Sequence, residues 1–161
     1  MDVFKSVVIL LVEDDPGDQK LIKASLAKDK MINDLRVTSS GEEALEYLQA
    51  ADGDENVETP MPDLILLDLN MPGMGGKEFL SRIKADERLC SIPVVILTTS
   101  DTDKDILETY RLQAAGYIKK PVSLEQFQAV MRDLTEYWFV ICRRVSRGPN
   151  YEHKNDRCFV S

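Results

Sequence analysis

Five side chains stand where short apolar runs of this sequence end. Glu13 and Asp14 follow Val7–Val12, Asp68 follows Leu64–Leu67, Thr98 follows Val94–Leu97, and Lys120 follows Gly116–Lys119. Continuous apolar runs of this kind are expected of strands buried on both faces of a parallel sheet, and such sheets bind ligands outside the carboxyl ends of their strands. The five groups therefore converge on one pocket: three carboxylates, a hydroxyl and an ammonium. Three carboxylates within a few ångströms repel by several kcal/mol at an effective dielectric of ~20. A hard divalent cation with oxygen ligands relieves that repulsion, and Mg²⁺ suits a site with few protein ligands that keeps room for water and phosphate. A carboxylate beside such an ion can act as a nucleophile towards phosphorus. A lysine and a hydroxyl can then hold the oxygens of a phosphoryl group in transfer.

The elements that must position these groups alternate along the chain. Shorter strand candidates lie at Leu35–Thr38 and Gly116–Lys119. Asp15 reads as the N-cap of a helix that starts at Pro16, in preference to a further metal ligand, with Asp18 in the first turn favoured by the helix dipole. Ser40 with Glu43 reads as a capping box opening a helix through Leu48. Further helices are expected over about Gly76–Ala85 and Thr102–Gln113, and Ser123 with Gln126 caps a last one. Five βα units in this order predict an α/β domain with a doubly wound, five-stranded parallel sheet. Residues 50–62 form a polar surface loop longer than the usual connection. The last helix carries an apolar stripe (Phe127, Val130, Met131, Leu134, Trp138, Ile141, Val145) for about five turns, beyond the reach of the sheet. An exposed second half of that stripe is best covered by a second copy of the chain.

Composition narrows the function classes. The chain has 161 residues, enough for one domain with a proper core, and a net charge of −8 from 28 acidic and 20 basic residues. Binding to nucleic acid through a basic surface is disfavoured, because phosphate contacts need Lys and Arg in excess. The charge is uneven: residues 141–161 carry a net +3, so residues 1–140 carry −11. A single histidine, His153, argues against His-based metal sites and a His-centred triad, and it reads as a solvated tail residue. Cys90, Cys142 and Cys158 make an odd count without CxxC spacing, so no disulfide framework is expected and Cys90 reads as packing. No stretch approaches the ~18 apolar residues of a membrane span, and none reads as a signal peptide. The expected setting is the cytoplasm.

In this order and on these elements, Glu13-Asp14, Asp68-Leu69-Asn70-Met71-Pro72, Thr98, and Tyr117 followed by Lys120-Pro121 resemble the receiver domains of two-component response regulators. The resemblance covers roughly Val7 to Tyr137. It implies a (βα)5 flavodoxin-like fold with an extended C-terminal helix, a receiver domain over 1–140, and the helix end plus a basic tail over 141–161. It implies that Asp68 takes a phosphoryl group from a phosphohistidine on a partner sensor histidine kinase, and that the chain is a signalling protein and not an enzyme acting on other substrates. Asp14, Asp68 and the Asn70 carbonyl would ligate Mg²⁺, with Glu13 acting directly or through water. Thr98 and Lys120 would bind phosphoryl oxygens, and Lys120-Pro121 would be a cis peptide. Thr98 and Tyr117 would form the switch that changes the surface of the fourth helix, fifth strand and last helix. Output would pass to a downstream protein or a phosphotransfer protein.

The long 50–62 loop, Leu97-Thr98-Thr99-Ser100 and the last helix with Tyr137-Trp138 further resemble the single-domain regulators that accompany phytochromes, which tend to form homodimers. Tyr117 is also compatible with plain core packing, and Gly73, Gly75 and Gly76 with a flexible loop after Asp68. Among other functions, a haloacid-dehalogenase-type phosphatase needs a second acid two residues after its nucleophile, where this chain has Asn70. A DNA-binding output domain finds too little chain in the about 16 residues after the last helix. A phosphorylation-independent docking module is disfavoured by the intact acidic pocket.

Overall fold

The three continuous apolar runs form the middle of the sheet. The computed structural model describes residues 7–27, 33–51, 58–99, 108, 110–123, 125, 126 and 129. Within them the order is β1 (Val7–Val12), α1 (Pro16–Ala27), β2 (Asn33–Thr38), α2 (Gly41–Ala50), β3 (Leu64–Asp68), α3 (Gly76–Ala85), β4 (Val94–Thr98) and β5 (Gly116–Lys119). The strands are parallel in the order β2-β1-β3-β4-β5. That is the doubly wound arrangement, in which the chain runs outward from β1 in both directions and leaves a crevice between β1 and β3.

Every residue of β3 and β4 is buried, as both-face coverage requires. Alternation divides the side chains between two cores. Leu10, Val12, Ile65, Leu67, Val94 and Ile96 pack with Ala44 and Leu48 of α2 and Phe79, Leu80 and Ile83 of α3. Ile9, Leu11, Leu64, Leu66, Val95 and Leu97 pack on the other face with Ile22 and Leu26 of α1 and Ile118 of β5. Each fully buried Leu, Ile or Val contributes about 1.5–3 kcal/mol relative to exposure. The strands thus supply most of the α1-side core, while α2, α3 and the loops supply more of the other.

The helix starts follow their caps. The Asp18 N–H donates to Asp15 Oδ2 at 3.2 Å, so Asp15 caps α1 as expected. The Glu43 N–H donates to Ser40 Oγ at 3.0 Å, while the Glu43 carboxylate reaches the Ser39 N–H at 2.9 Å, one residue short of the usual capping box. Ser123 and Gln126 make the reciprocal pair expected of them. Two expectations were short: β2 begins at Asn33 and α2 runs to Ala50. Of the fourth helix, residues 108, 110 and 111 are helical and Gln113 ends it with φ of 67°. Residues 102–107 and 109, the stripe from Phe127 to Val145, His153, Cys142 and Cys158 lie outside the described residues, as do 52–57 of the 50–62 loop. Cys90 is buried in the core, as its packing reading expects, but it is disulfide-bonded, against the expectation of no disulfide. Cysteine spacing along a chain does not report which sulfurs the fold brings together.

Gly76 shows how closely α3 abuts the strand it follows. A Cβ there would lie 2.6 Å from the Asp68 carbonyl oxygen and 2.7 Å from Leu69 Cα, both backbone atoms. Gly76→Ala must therefore push α3 off the end of β3. The expected loss is about 1–3 kcal/mol, read from the urea midpoint. An unchanged midpoint would show that the helix start yields freely.

Candidate functional site

The pairing register builds the pocket. Val12 lies opposite Leu67, so Glu13 is level with Asp68 across the β1–β3 crevice. Adjacent residues in register project to the same face, and alternation puts Glu13 and Asp68 on the α1 side. Lys120 follows β5 with the same parity as the buried Ile118, and its N–H donates to the Thr98 carbonyl at 2.8 Å. The Lys120-Pro121 peptide is cis.

Glu13, Asp14 and Asp68 each present a carboxylate oxygen, and the three oxygens lie within 4.8 Å of one another. Glu13 and Asp68 are buried, and Asp14 is half-buried. The Lys120 ammonium reaches into this group. It forms an ion pair with Glu13 Oε1 and others with Asp18 Oδ2 at 3.0 Å and Asp68 Oδ1 at 3.4 Å. Among the described residues, the close Lys120 ammonium is the cation that meets the charge of Glu13 Oε1, a buried oxygen without another donor. Glu13 Oε2 accepts the Asp15 N–H at 3.2 Å, and Asp68 Oδ1 accepts the Asn70 N–H at 3.2 Å.

These surroundings set the proton affinities. Burial pushes the Glu13 carboxyl up to about 7, against the opposing pull of Lys120. Burial likewise raises Asp68, opposed by its contacts with Glu13 and the Lys120 charge. For Lys120, burial favours the neutral amine, but hydrogen bonds to Glu13 and Asp18 and the charge of Asp68 prevail and hold the ammonium above its ordinary range. The Lys120 ammonium thus faces three carboxylates, Glu13, Asp18 and Asp68, with Asp14 close by. A buried carboxylate oxygen without a directed donor, within reach of two further acids, suits a hard divalent cation.

Thr98 and Tyr117 stand on the opposite side of the sheet. Thr98 is buried at the end of β4, one residue past Leu97, which pairs with Asp68. Alternation gives it the α2/α3 face, where Tyr117 packs half-buried against the core. Thr98 pairs with Lys119 and Ile96 with Tyr117, so Thr98 and Tyr117 are one step apart diagonally on one face. Asn70 is exposed beyond β3.

Two residues were not expected at the site. Asp18, read from sequence as an acid favoured by the helix dipole, is a direct partner of Lys120. Gln19 donates through Nε2 to the Glu13 carbonyl at 2.6 Å and to Ser39 Oγ at 3.2 Å, tying α1 to the ends of β1 and β2. Helical spacing does signal that residues 18 and 19 share the first turn of α1. It does not reveal a partner 102 residues away.

The fold is that of a receiver domain, and the chain belongs to the response regulator receiver domain family, which matches residues 9–132. Among individual relatives it is similar to response regulator Rcp1 of Synechocystis sp., 37% identical over 131 residues covering 81% of this chain and 88% of that one. A solved Mn²⁺-bound form of Rcp1 covers 82% of this chain and 94% of its own, with a TM-score of 0.66 and 38% identity. The phosphorylated cyanobacterial phytochrome response regulator RcpA is 40% identical, covers 84% and 95%, and has a TM-score of 0.68. A similar match, 37% over 131 residues and covering 81% of this chain and 83% of the relative, is a probable methanogenesis regulatory protein, FilR2, of Methanothrix harundinacea.

Proposed function

We propose that the chain accepts a phosphoryl group on Asp68 from a sensor histidine kinase of the phytochrome type and passes the signal on by protein contact or phosphotransfer. The observation that carries this is Asp68 itself: a buried carboxylate at the β1–β3 crevice, facing the Lys120 ammonium and flanked by Glu13 and Asp14. An Asp68 oxygen forms a bond to phosphorus as the phosphorus–nitrogen bond of the phosphohistidine breaks, and the leaving imidazole takes the bonding pair and a proton. Lys120 receives one phosphoryl oxygen, and the Thr98 hydroxyl, at the same end of the sheet, moves towards the group to receive another. In hydrolysis, water bonds to phosphorus, the Asp68 oxygen leaves as carboxylate, and phosphate departs.

Glu13, Asp14, Asp68 and the Asn70 carbonyl would hold Mg²⁺, which when bound neutralises charge on the phosphoryl oxygens. The Mn²⁺-bound form of Rcp1 supports a divalent cation at this pocket. The phytochrome type of the kinase is supported by the likeness to RcpA and to the solved bacteriophytochrome response regulators. In this reading Thr98 and Tyr117, neighbours on one face, carry the change at Asp68 to the surface around the fourth helix, β5 and the last helix. Residues 1–140 would act as the receiver and 141–161 as the end of the last helix and a basic tail, with the exposed half of the apolar stripe joining two copies in a homodimer. The cytoplasm is the proposed setting; among the described residues no helix is long and apolar enough to cross a membrane.

With Mg²⁺ and acetyl phosphate, the intact mass should rise by one phosphoryl group, and Asp68→Ala should abolish the gain. A folded wild-type protein of unchanged mass sinks the reading.

A further inference from the structure

We propose that Asp18 is a positioning residue that competes with the phosphoryl group for Lys120, holding the pocket in its resting state. This rests on the phosphoacceptor reading above and names a further residue of the same site. An ammonium has three N–H donors. In this structure the Lys120 ammonium faces three carboxylates: Glu13, Asp18 at 3.0 Å and Asp68 at 3.4 Å. A phosphoryl oxygen gripped by Lys120 at charge-assisted hydrogen-bond distance must draw Nζ away from at least part of this set.

The three partners differ in what release costs. The Glu13 side chain is fully buried, so losing Lys120 would leave a carboxylate uncompensated in the interior. Asp68 is the group that bears the phosphoryl group, and Lys120 stays with it. The Asp18 side chain is 32% exposed, against 9% for Lys120, so water can take up its charge when the contact opens. Asp18 is the partner that can be exchanged.

The two acids also act on each other. With Nζ at 3.0 Å from Asp18 Oδ2 and 3.4 Å from Asp68 Oδ1, these oxygens are no more than about 6.4 Å apart. A dianionic phosphoryl group added at Asp68 feels the Asp18 charge at close range. Asp18 thus favours the unphosphorylated state twice, by engaging the lysine and by repelling the group the lysine is to bind. A contact made more strongly in one of two states shifts the balance by that difference alone.

The test measures phosphoryl occupancy by intact mass against acetyl phosphate concentration, with Mg²⁺, for wild type, Asp18→Asn and Asp18→Glu. In the reaction an Asp68 oxygen bonds to phosphorus and acetate leaves with the electron pair. Asp18→Asn keeps the size of the side chain and removes its charge. It should reach half-occupancy at a donor concentration lower by roughly threefold or more, the scale of a partly exposed charge contact. Asp18→Glu should return the curve towards wild type, which a purely structural role for the helix start would not do. If Asp18→Asn matches the wild-type curve, or Asp18→Glu shifts as far as Asp18→Asn, the role of Asp18 is overturned while the phosphoacceptor reading stands. A wild type that takes no phosphoryl group overturns both.

Discussion

Lys120→Met is expected to destabilise the metal-free protein by about 3–5 kcal/mol near pH 7.5 and to slow phosphoryl acceptance by two orders of magnitude or more. Methionine keeps the stem of the lysine and deletes its charge, so the loss isolates the ammonium. Lys120 is the partner of Glu13 Oε1, an oxygen with no directed hydrogen bond, and of the buried Asp68 carboxylate. Taking away the cation leaves two buried acids facing each other across β1 and β3. They respond by holding a proton, so the destabilisation should shrink on moving from pH 7.5 to pH 5. The chemistry suffers separately, because a phosphoryl group arriving at Asp68 would meet carboxylates and no ammonium. Urea unfolding at the two pH values reads the first effect, and intact mass with acetyl phosphate and Mg²⁺ reads the second. Equal stability of the two proteins at pH 7.5 would mean that water, not Lys120, compensates the buried acids.

The parts of this site that could be read from the sequence are those set by local pattern. The runs at Val7–Val12, Leu64–Leu67 and Val94–Leu97 announce strands buried on both faces. A parallel sheet of such strands places Glu13, Asp68 and Thr98 at one edge whatever the details of packing. The N-cap roles of Asp15 and Ser40 were legible for the same reason: the partner lies three residues away. Asn33 and Asp34 of β2 were missed because they are polar residues on an edge strand, where pairing with Val7 and Val8 decides the conformation and periodicity is silent. Side-chain direction across strands was also hidden. The five groups share one end of the sheet, yet alternation sends Glu13 and Asp68 to the α1 face and Thr98 to the other. The Asp18–Lys120 pair joins the first turn of α1 to the end of β5, and only the assembled fold creates it.

Removing the divalent cation should make stability fall as pH rises from 5 to 8, and restoring it should reverse that slope. Burial raises the Glu13 carboxyl from its ordinary 4.5 to about 7 in the folded chain, so between those values the native state binds a proton that the unfolded state has released. The native state then binds more protons, and stability declines with pH across that interval. The contribution is fully present below pH 4.5 and is lost as pH climbs through about 7. Asp68 is also raised, which adds to the same slope. Mg²⁺ binds the ionised acids, so protons compete with it. At pH 8 a hundredfold excess over its dissociation constant should contribute about 2.7 kcal/mol, and at pH 5 far less. Thermal melting with EDTA and with Mg²⁺ at both pH values measures all four states. The difference between the two slopes assigns the effect to the acid pocket, since Glu13→Gln removes one of the two raised carboxyls and should make both slopes shallower. A metal-free protein more stable at pH 8 than at pH 5 would show that Lys120 already satisfies the buried acids, leaving the cation no repulsion to relieve.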